Sequence, residues 1–279
     1  MERRVFLVSL VLVFALGAYL RFVDLGGPSL WLDEILHLQV AQSLSTEPWY
    51  HFLTGVREVD GRTENGPLYY ALQILGIRLA SGEIGVRLMP AIVGFLALPL
   101  MAASANLVGG RLVALAATFL LAVSPLHVYY SREGRPYSLL MTLAIVLLLA
   151  LLRRGSRSGI WLAYGGCLLA AYTGIHAVPI LLSFAVLSTI GMAWSLKRGL
   201  GLLRSPYLHG VLAAAVALAL SYGLYMTQST ANAPIVFDAE PDTGAVDAAP
   251  GRWQERSLSL IHISEPTRLK TRSRMPSSA

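Results

Sequence analysis

Seven apolar blocks, each close to the length that crosses a bilayer, leave this chain few alternatives to a membrane fold. They lie at about residues 5–22, 88–107, 112–128, 137–152, 159–175, 177–196 and 210–226. A hydrocarbon core of ~30 Å takes about 20 helical residues, with a working range near 17–25. Inside lipid every backbone polar group needs a partner within the protein, so unbroken apolar blocks become helices. Composition agrees: the chain is 55% hydrophobic and only 14% charged, where a soluble domain carries roughly 25% charged residues. An ordinary soluble globule is excluded, and so is extended disorder over most of the length. The single cysteine, Cys167, sits inside the fifth block. A disulfide scaffold and a cysteine zinc cluster are therefore excluded. The expected fold class is all-α: a polytopic integral membrane protein of about seven transmembrane helices, with interfacial helices in the first external loop.

Arg3 and Arg4 precede the first block as they would a signal peptide. No small-residue cleavage site follows, so the block is expected to be a retained helix. Residues 67–81 are shorter and contain Arg78, and Leu68, Leu72, Leu75 and Leu79 share one helical face. That pattern predicts a helix lying in the interface. If this segment does not span, Arg3/Arg4, Arg111, Arg153/Arg154/Arg157 and Lys197/Arg198/Arg204 all fall on one side, the cytoplasmic side by the positive-inside rule. The N-terminus is then cytoplasmic, and the loops 23–87 and 129–136 face outside. Residues 1–227 form the transmembrane module. Residues 228–257, with Asp238, Glu240, Asp242 and Asp247, read as the start of an external linker or domain. Residues 258–279 contain LSLIHISEPTR and SRMPSSA, which read as translated sequencing adapter and are set aside from fold reasoning. That tail holds Arg268, Lys270, Arg272 and Arg274 against Glu265, a net +3 out of the formal +6. No nucleic-acid partner follows from the charge.

Two external segments could carry chemistry. In the first, Gly26-Gly27-Pro28 end the opening helix, and Ser29 or Asp33 can cap a second one. Asp33 and Glu34 fall in its first turn, where the helix dipole favours anions. They read either as capping residues or as a carboxylate pair at the membrane surface, one acting as a base. Trp31 would anchor the segment at headgroup level. In the second, Glu133 lies between Arg132 and Arg135, with Pro125 and Pro136 at the flanks and Tyr129, Tyr130 and Tyr137 nearby. This is either an aromatic belt with snorkelling arginines or a site for a phosphate headgroup, which arginine contacts bidentately. His127 and His176 stand alone at outside helix ends. The sequence contains no closely spaced metal motif, P-loop, GxGxxG or convincing nucleophilic serine.

WLDE after the first block, then NGPLYYALQILG, GEIGVRLMPAIVGFLALPL, LLAVSPLHVYYSREGRPYSLL and AAYTGIHAVPILL follow in order. Over residues 5–226 this series resembles the bacterial glycosyltransferase family 39-like proteins of the GT-C superfamily, relatives of protein O-mannosyltransferases and of the lipid A aminoarabinose transferase. The resemblance implies an inner-membrane enzyme that moves a sugar from a polyprenyl-phosphate donor to a cell-envelope acceptor (lipid A, a glycan or a protein) on the external face, with inversion. It places Asp33 as catalytic base and Glu34 as its partner. It assigns Arg135, Arg132, Glu133 and Tyr130 to the donor phosphate, and Tyr69, Tyr70 and His176 to the substrate. A divalent ion, magnesium or manganese, is left open. Two departures stand out: Asn65-Gly66-Pro67 replace the usual His-Pro-Pro, and Tyr172-Thr173-Gly174-Ile175-His176 replace a Tyr-Thr-His. The competing classes are a transporter or flippase for lipid-linked sugars and an inactive assembly subunit. Block interiors nearly free of charge, with the acids in outside loops, favour interfacial chemistry over transport.

Overall fold

The computed structural model describes residues 2–45 and 65–229, and among these the fold is helical without strands. The linker from residue 230 onward and the adapter-like tail lie outside the described residues. Nine α-helices follow in order among the described residues: α1 (Arg3–Phe22), α2 (Leu32–Leu44), α3 (Pro67–Leu79), α4 (Gly82–Val123), α5 (Pro125–Ser131), α6 (Tyr137–Leu152), α7 (Arg157–Ala171), α8 (Val178–Lys197) and α9 (Leu208–Ser229). Among the described residues, four segments are long and apolar enough to cross a membrane: Arg3–Phe22, Gly82–Val123, Ile175–Lys197 and Leu208–Met226. Their large apolar side chains face outward, among them Val8, Leu12, Leu120 and Ile190. A water-soluble protein would bury such surface; one dissolved in lipid has no reason to.

The helix α4 is a hairpin rather than a 42-residue rod. Gly109 and Gly110 interrupt it, and Gly110 adopts φ 71°, ψ −164°, a conformation open only to glycine. Leu98 and Ala122 would lie about 36 Å apart on a straight helix. Here they share one core cluster with Val13 of α1. The two expected blocks on either side of the glycines are thus the two arms of this hairpin. The second arm ends earlier than expected, at Val123, because Ser124 leaves helical geometry and caps α5, with Pro125 at its first position. The fifth block also stops early, at Ala171, since Gly174 takes φ 116° and its strand-like backbone pairs with Asn65. Helices α6 and α7 have 16 and 15 residues, short of the spanning range.

Helix α3 also has 13 residues, too few to span. Its buried face is Tyr69, Tyr70, Gln73 and Ile74, packed on Ala41 and Leu44 of α2. Leu75 and Leu79 point outward, but Leu68 and Leu72, expected on the same face, are partly buried against the main core. Gly76 lies against the backbone carbonyl of Gly85, so the α3–α4 elbow closes only without a side chain there. The main core joins α6, α7, α8 and α9 through Leu143, Leu147, Cys167, Leu181 and Phe184, with Ala163, Ala170, Ala213, Ala214 and Ala217 permitting close approach.

The chain path sorts the turns onto two ends. The α1–α2 loop, the start of α4, the α5–α6 turn and the α7–α8 turn meet at one end, joined through Glu34, Arg87 and the side chains around Arg135. The Gly109–Gly110 turn, the α6–α7 turn and the α8–α9 turn lie at the other.

Candidate functional site at the mouth of the bundle

Helix α2 delivers the acidic pair. Its N-cap is Trp31, not Ser29 or Asp33, and the Trp31 amide donates to Glu34 Oε2 at 3.4 Å. Successive residues on a helix diverge by about 100°, so Asp33 and Glu34 cannot serve the same space. Glu34 turns inward and is fully buried. Both its oxygens meet Arg87, whose Nε donates to Oε1 at 2.9 Å and Nη2 to Oε2 at 2.6 Å. The Gly134 amide donates to Oε1 at 2.7 Å. Arg87 in turn donates to the carbonyls of Leu25, Pro28 and Ser29. Both Glu34 oxygens are therefore engaged inside the protein. Glu34 is a staple that ties α2, the α1–α2 loop, α4 and the α5–α6 turn at one point.

Asp33 turns outward and stays half-exposed. Its Oδ2 accepts from Arg135 Nη1 at 3.0 Å. The Arg135 guanidinium lies between two aromatic faces, 5.3 Å from the Trp31 centroid and 4.8 Å from that of Tyr137. Stacking of this kind holds a planar cation without neutralising it. Tyr130 packs on Tyr137 at 4.7 Å between ring centroids, and His176 lies 6.4 Å from the same ring. The two external loops and the α7–α8 turn are thus brought together around Arg135.

Behind this pair the site is tightly closed. The Tyr69 hydroxyl donates to the Gly134 carbonyl at 2.6 Å and accepts from Gln73 Nε2 at 3.3 Å. Burial pushes its phenol well above the ordinary value, so it remains a donor. Tyr70 is fully buried. Both tyrosines, expected to face substrate, instead form the rear wall. Gln73, Arg135 and Ser138 line a small cavity of about 10 Å³ with largely apolar walls, and Gln73 Oε1, Arg135 Nε and Ser138 Oγ are buried without protein partners.

Glu133 is buried, and its Oε2 has no protein partner. Burial raises its carboxyl above the ordinary value; Arg135 opposes that shift, while Glu34 and Asp33 add to it. Arg132, expected at the phosphate, points elsewhere. It donates to the carbonyls of Leu20, Val23 and Asp24 at 3.0, 2.7 and 3.0 Å, closing the C-terminus of α1.

Three residues went unrecognised in the sequence. Arg87 was visible only as one basic residue in GEIGVRLMP. His37 follows Asp33 by four positions, hence on the same helical face, and that spacing was the available signal. It accepts from Asn65 Nδ2 at 3.0 Å and packs edge-on against Tyr69. Burial, aided by Arg135, lowers its pKa. The third is Arg21. Far from leaving the block charge-free, it is wholly buried in the last turn of α1. It donates to the Gly17, Ala122 and Leu121 carbonyls and to His127 Nδ1 at 2.9 Å. The Leu121 and Ala122 carbonyls belong to the last turn of α4, whose negative dipole end suits a cation. His127 is therefore a buried structural acceptor with its remaining proton on Nε2.

Among the described residues, no group of three His, Cys, Asp or Glu side chains is disposed to hold a metal. No protein-family profile, curated protein or solved structure matches the chain.

Proposed function

We propose that the chain is a membrane glycosyltransferase that moves a sugar from a polyprenyl-phosphate donor to a hydroxyl of a cell-envelope acceptor (lipid A, a glycan or a protein). In this reading the arms of α4 count separately and, with α6 and α7 crossing a locally thinned bilayer, seven helices cross the bacterial inner membrane. The N-terminus is cytoplasmic and the Asp33 end faces outside, as the basic clusters at the opposite turns favour. The observation that carries the reading is the division of labour in the acidic pair. Glu34 is engaged by Arg87 and Gly134, which leaves Asp33 partly exposed beside a stacked, mostly buried arginine.

That arrangement suits inversion with one base. The incoming lipid phosphate competes with Asp33 for Arg135 and draws the guanidinium onto its own oxygens. Asp33 is then freed to take the proton of the acceptor hydroxyl as that oxygen attacks the anomeric carbon. The anomeric C–O bond to phosphate breaks on the opposite face, and its electron pair leaves with the phosphate, where Arg135 stabilises the growing charge. A phosphate leaving group needs no general acid, so no second carboxylate is required. Tyr137, Tyr130 and His176 provide a rim against which a sugar ring can lie.

The test is sugar transfer from a purified polyprenyl-phosphate sugar in detergent solution. Asp33→Asn should lower turnover by roughly 10²–10⁴-fold. It should leave thermal stability nearly unchanged, because a half-exposed pair contributes little. Near-normal turnover in Asp33→Asn would remove Asp33 from the mechanism. A transporter would give no transfer without a sealed membrane.

A further inference from the structure

The end of the bundle farthest from Asp33 carries a different kind of site. Helix α6 leads from Tyr137 beside the candidate active site to Leu152, about 24 Å along its axis. The turn that follows carries Arg153, Arg154 and Arg157, and the end of α8 adds Lys197 and Arg198. From Tyr137 to Ser229 the sequence contains no Asp or Glu. These cations therefore find no carboxylate within the four helices that present them.

Under the α6–α7 turn lies a cavity of about 20 Å³, bounded by Arg154, Tyr207, His209 and Ser188 among others. Ser188 is fully buried in α8, yet its Oγ has no hydrogen-bond partner. An unpaired buried hydroxyl is costly, so the unmet donor and acceptor at this spot call for a ligand. Arg154 stands at the mouth, exposed, its guanidinium 5.0 Å from the Tyr207 ring and its Nη1 on the Leu151 carbonyl. The space behind it admits one oxygen atom rather than a whole headgroup. Leu151 and Phe184 line both this cavity and a second one, an open groove of about 280 Å³ between α6 and α8 whose walls are almost wholly apolar. Polar mouth and apolar groove thus adjoin, with Leu151 and Phe184 in the walls of both.

We infer that this end binds one anionic diacyl phospholipid, with a phosphate oxygen reaching Ser188 past Arg154 and an acyl chain laid in the α6–α8 groove. The charge balance argues for the anionic headgroup, since no carboxylate in α6–α9 offsets the arginines. The groove argues for a lipid-borne phosphate rather than a free one. Basic pockets between helices at a membrane face recognise lipid headgroups in this manner, each basic residue adding about fivefold to affinity for an anionic surface. The inference does not rest on the glycosyl-transfer reading, because none of these residues touches the Asp33–Arg135 site.

The full chain, purified in neutral detergent, is offered phosphatidylglycerol or phosphatidylcholine, and retained lipid is read by native mass spectrometry and by thermal melting. Phosphatidylglycerol should be retained in preference and should raise the melting temperature more. Arg154→Gln should cut that retention about fivefold. Arg198→Gln, at the same end but stacked on Trp194 and outside the cavity, should cut it less than twofold. Millimolar inorganic phosphate should not displace the lipid. Ser188→Ala provides a second arm should Arg154→Gln fold poorly, and it too should weaken retention. Equal retention of the two lipids, equal effects of the two arginine variants, unaltered retention in Ser188→Ala, or displacement by inorganic phosphate would each overturn the proposal.

Discussion

Removing the charge of Glu34 tests the staple directly. In Glu34→Gln the shape is kept, but one carboxylate oxygen becomes an amide donor facing Arg87 Nη2 and the Trp31 amide. The Arg87 guanidinium, itself buried, loses the carboxylate it is paired with. Breaking a buried pair by removing one partner costs about 3–5 kcal/mol. The residual Oε1 bonds to Arg87 Nε and Gly134 place Gln at the lower end, near 3 kcal/mol. That energy corresponds to roughly a 150-fold change in an opening equilibrium. The sensitive reporter is the Gly134 amide, whose hydrogen bond ends on Glu34 at 2.7 Å. Its hydrogen exchange should accelerate by about that factor, while amides in the α6–α9 core, such as Leu147, change little. The double variant Glu34→Gln/Arg87→Met should recover part of the loss, because it removes the stranded cation as well. Unchanged Gly134 exchange in Glu34→Gln, or a double variant whose cost is the plain sum of the singles, would refute the staple.

Two further outcomes follow from the same structure. The Glu133 carboxyl is raised by burial, so its ionisation is easier in the unfolded chain; stability is unaffected below the ordinary carboxyl range and declines as pH rises through and above it. Glu133→Gln should therefore melt higher than the parent at neutral pH, with the difference vanishing in acid; a constant difference across pH would show the effect to be unrelated to charge. Gly110 and Gly165 both have open space where an added methyl group would stand, but Gly110 has φ 71° and Gly165 is helical. Gly110→Ala should destabilise by about 1–3 kcal/mol and Gly165→Ala should be neutral or stabilising by up to ~1 kcal/mol, and paired melting curves that fail to separate them would remove the hairpin turn's dependence on backbone conformation.

Most of the helices were legible from the apolar blocks, because hydropathy reports the solvent a segment prefers, and that preference is local. The shortness of helix α3, 13 residues, was legible for a similar reason, because length is a one-dimensional quantity. Boundaries were less so. Ser124 and Gly174 end helices earlier than the apolar pattern suggests, since a helix stops where a backbone dihedral changes, not where hydropathy falls.

The candidate site divides along the same line. The sequence by itself placed Asp33 and Glu34 in the first turn of a helix, and set Arg132, Glu133 and Arg135 in one short turn. It determined which residues were available near a membrane surface. Only the tertiary structure decided their roles, because each role depends on partners 50 to 110 positions away. Glu34 meets Arg87 and Gly134, Arg132 meets the end of α1, and Arg21 meets the end of α4. A buried charge must find its counter-charge or carbonyls wherever the packing brings them, and hydropathy along the chain carries no record of that distance. Asp33 meets Arg135 across the same distance, 102 positions apart in sequence, on the outward face of α2.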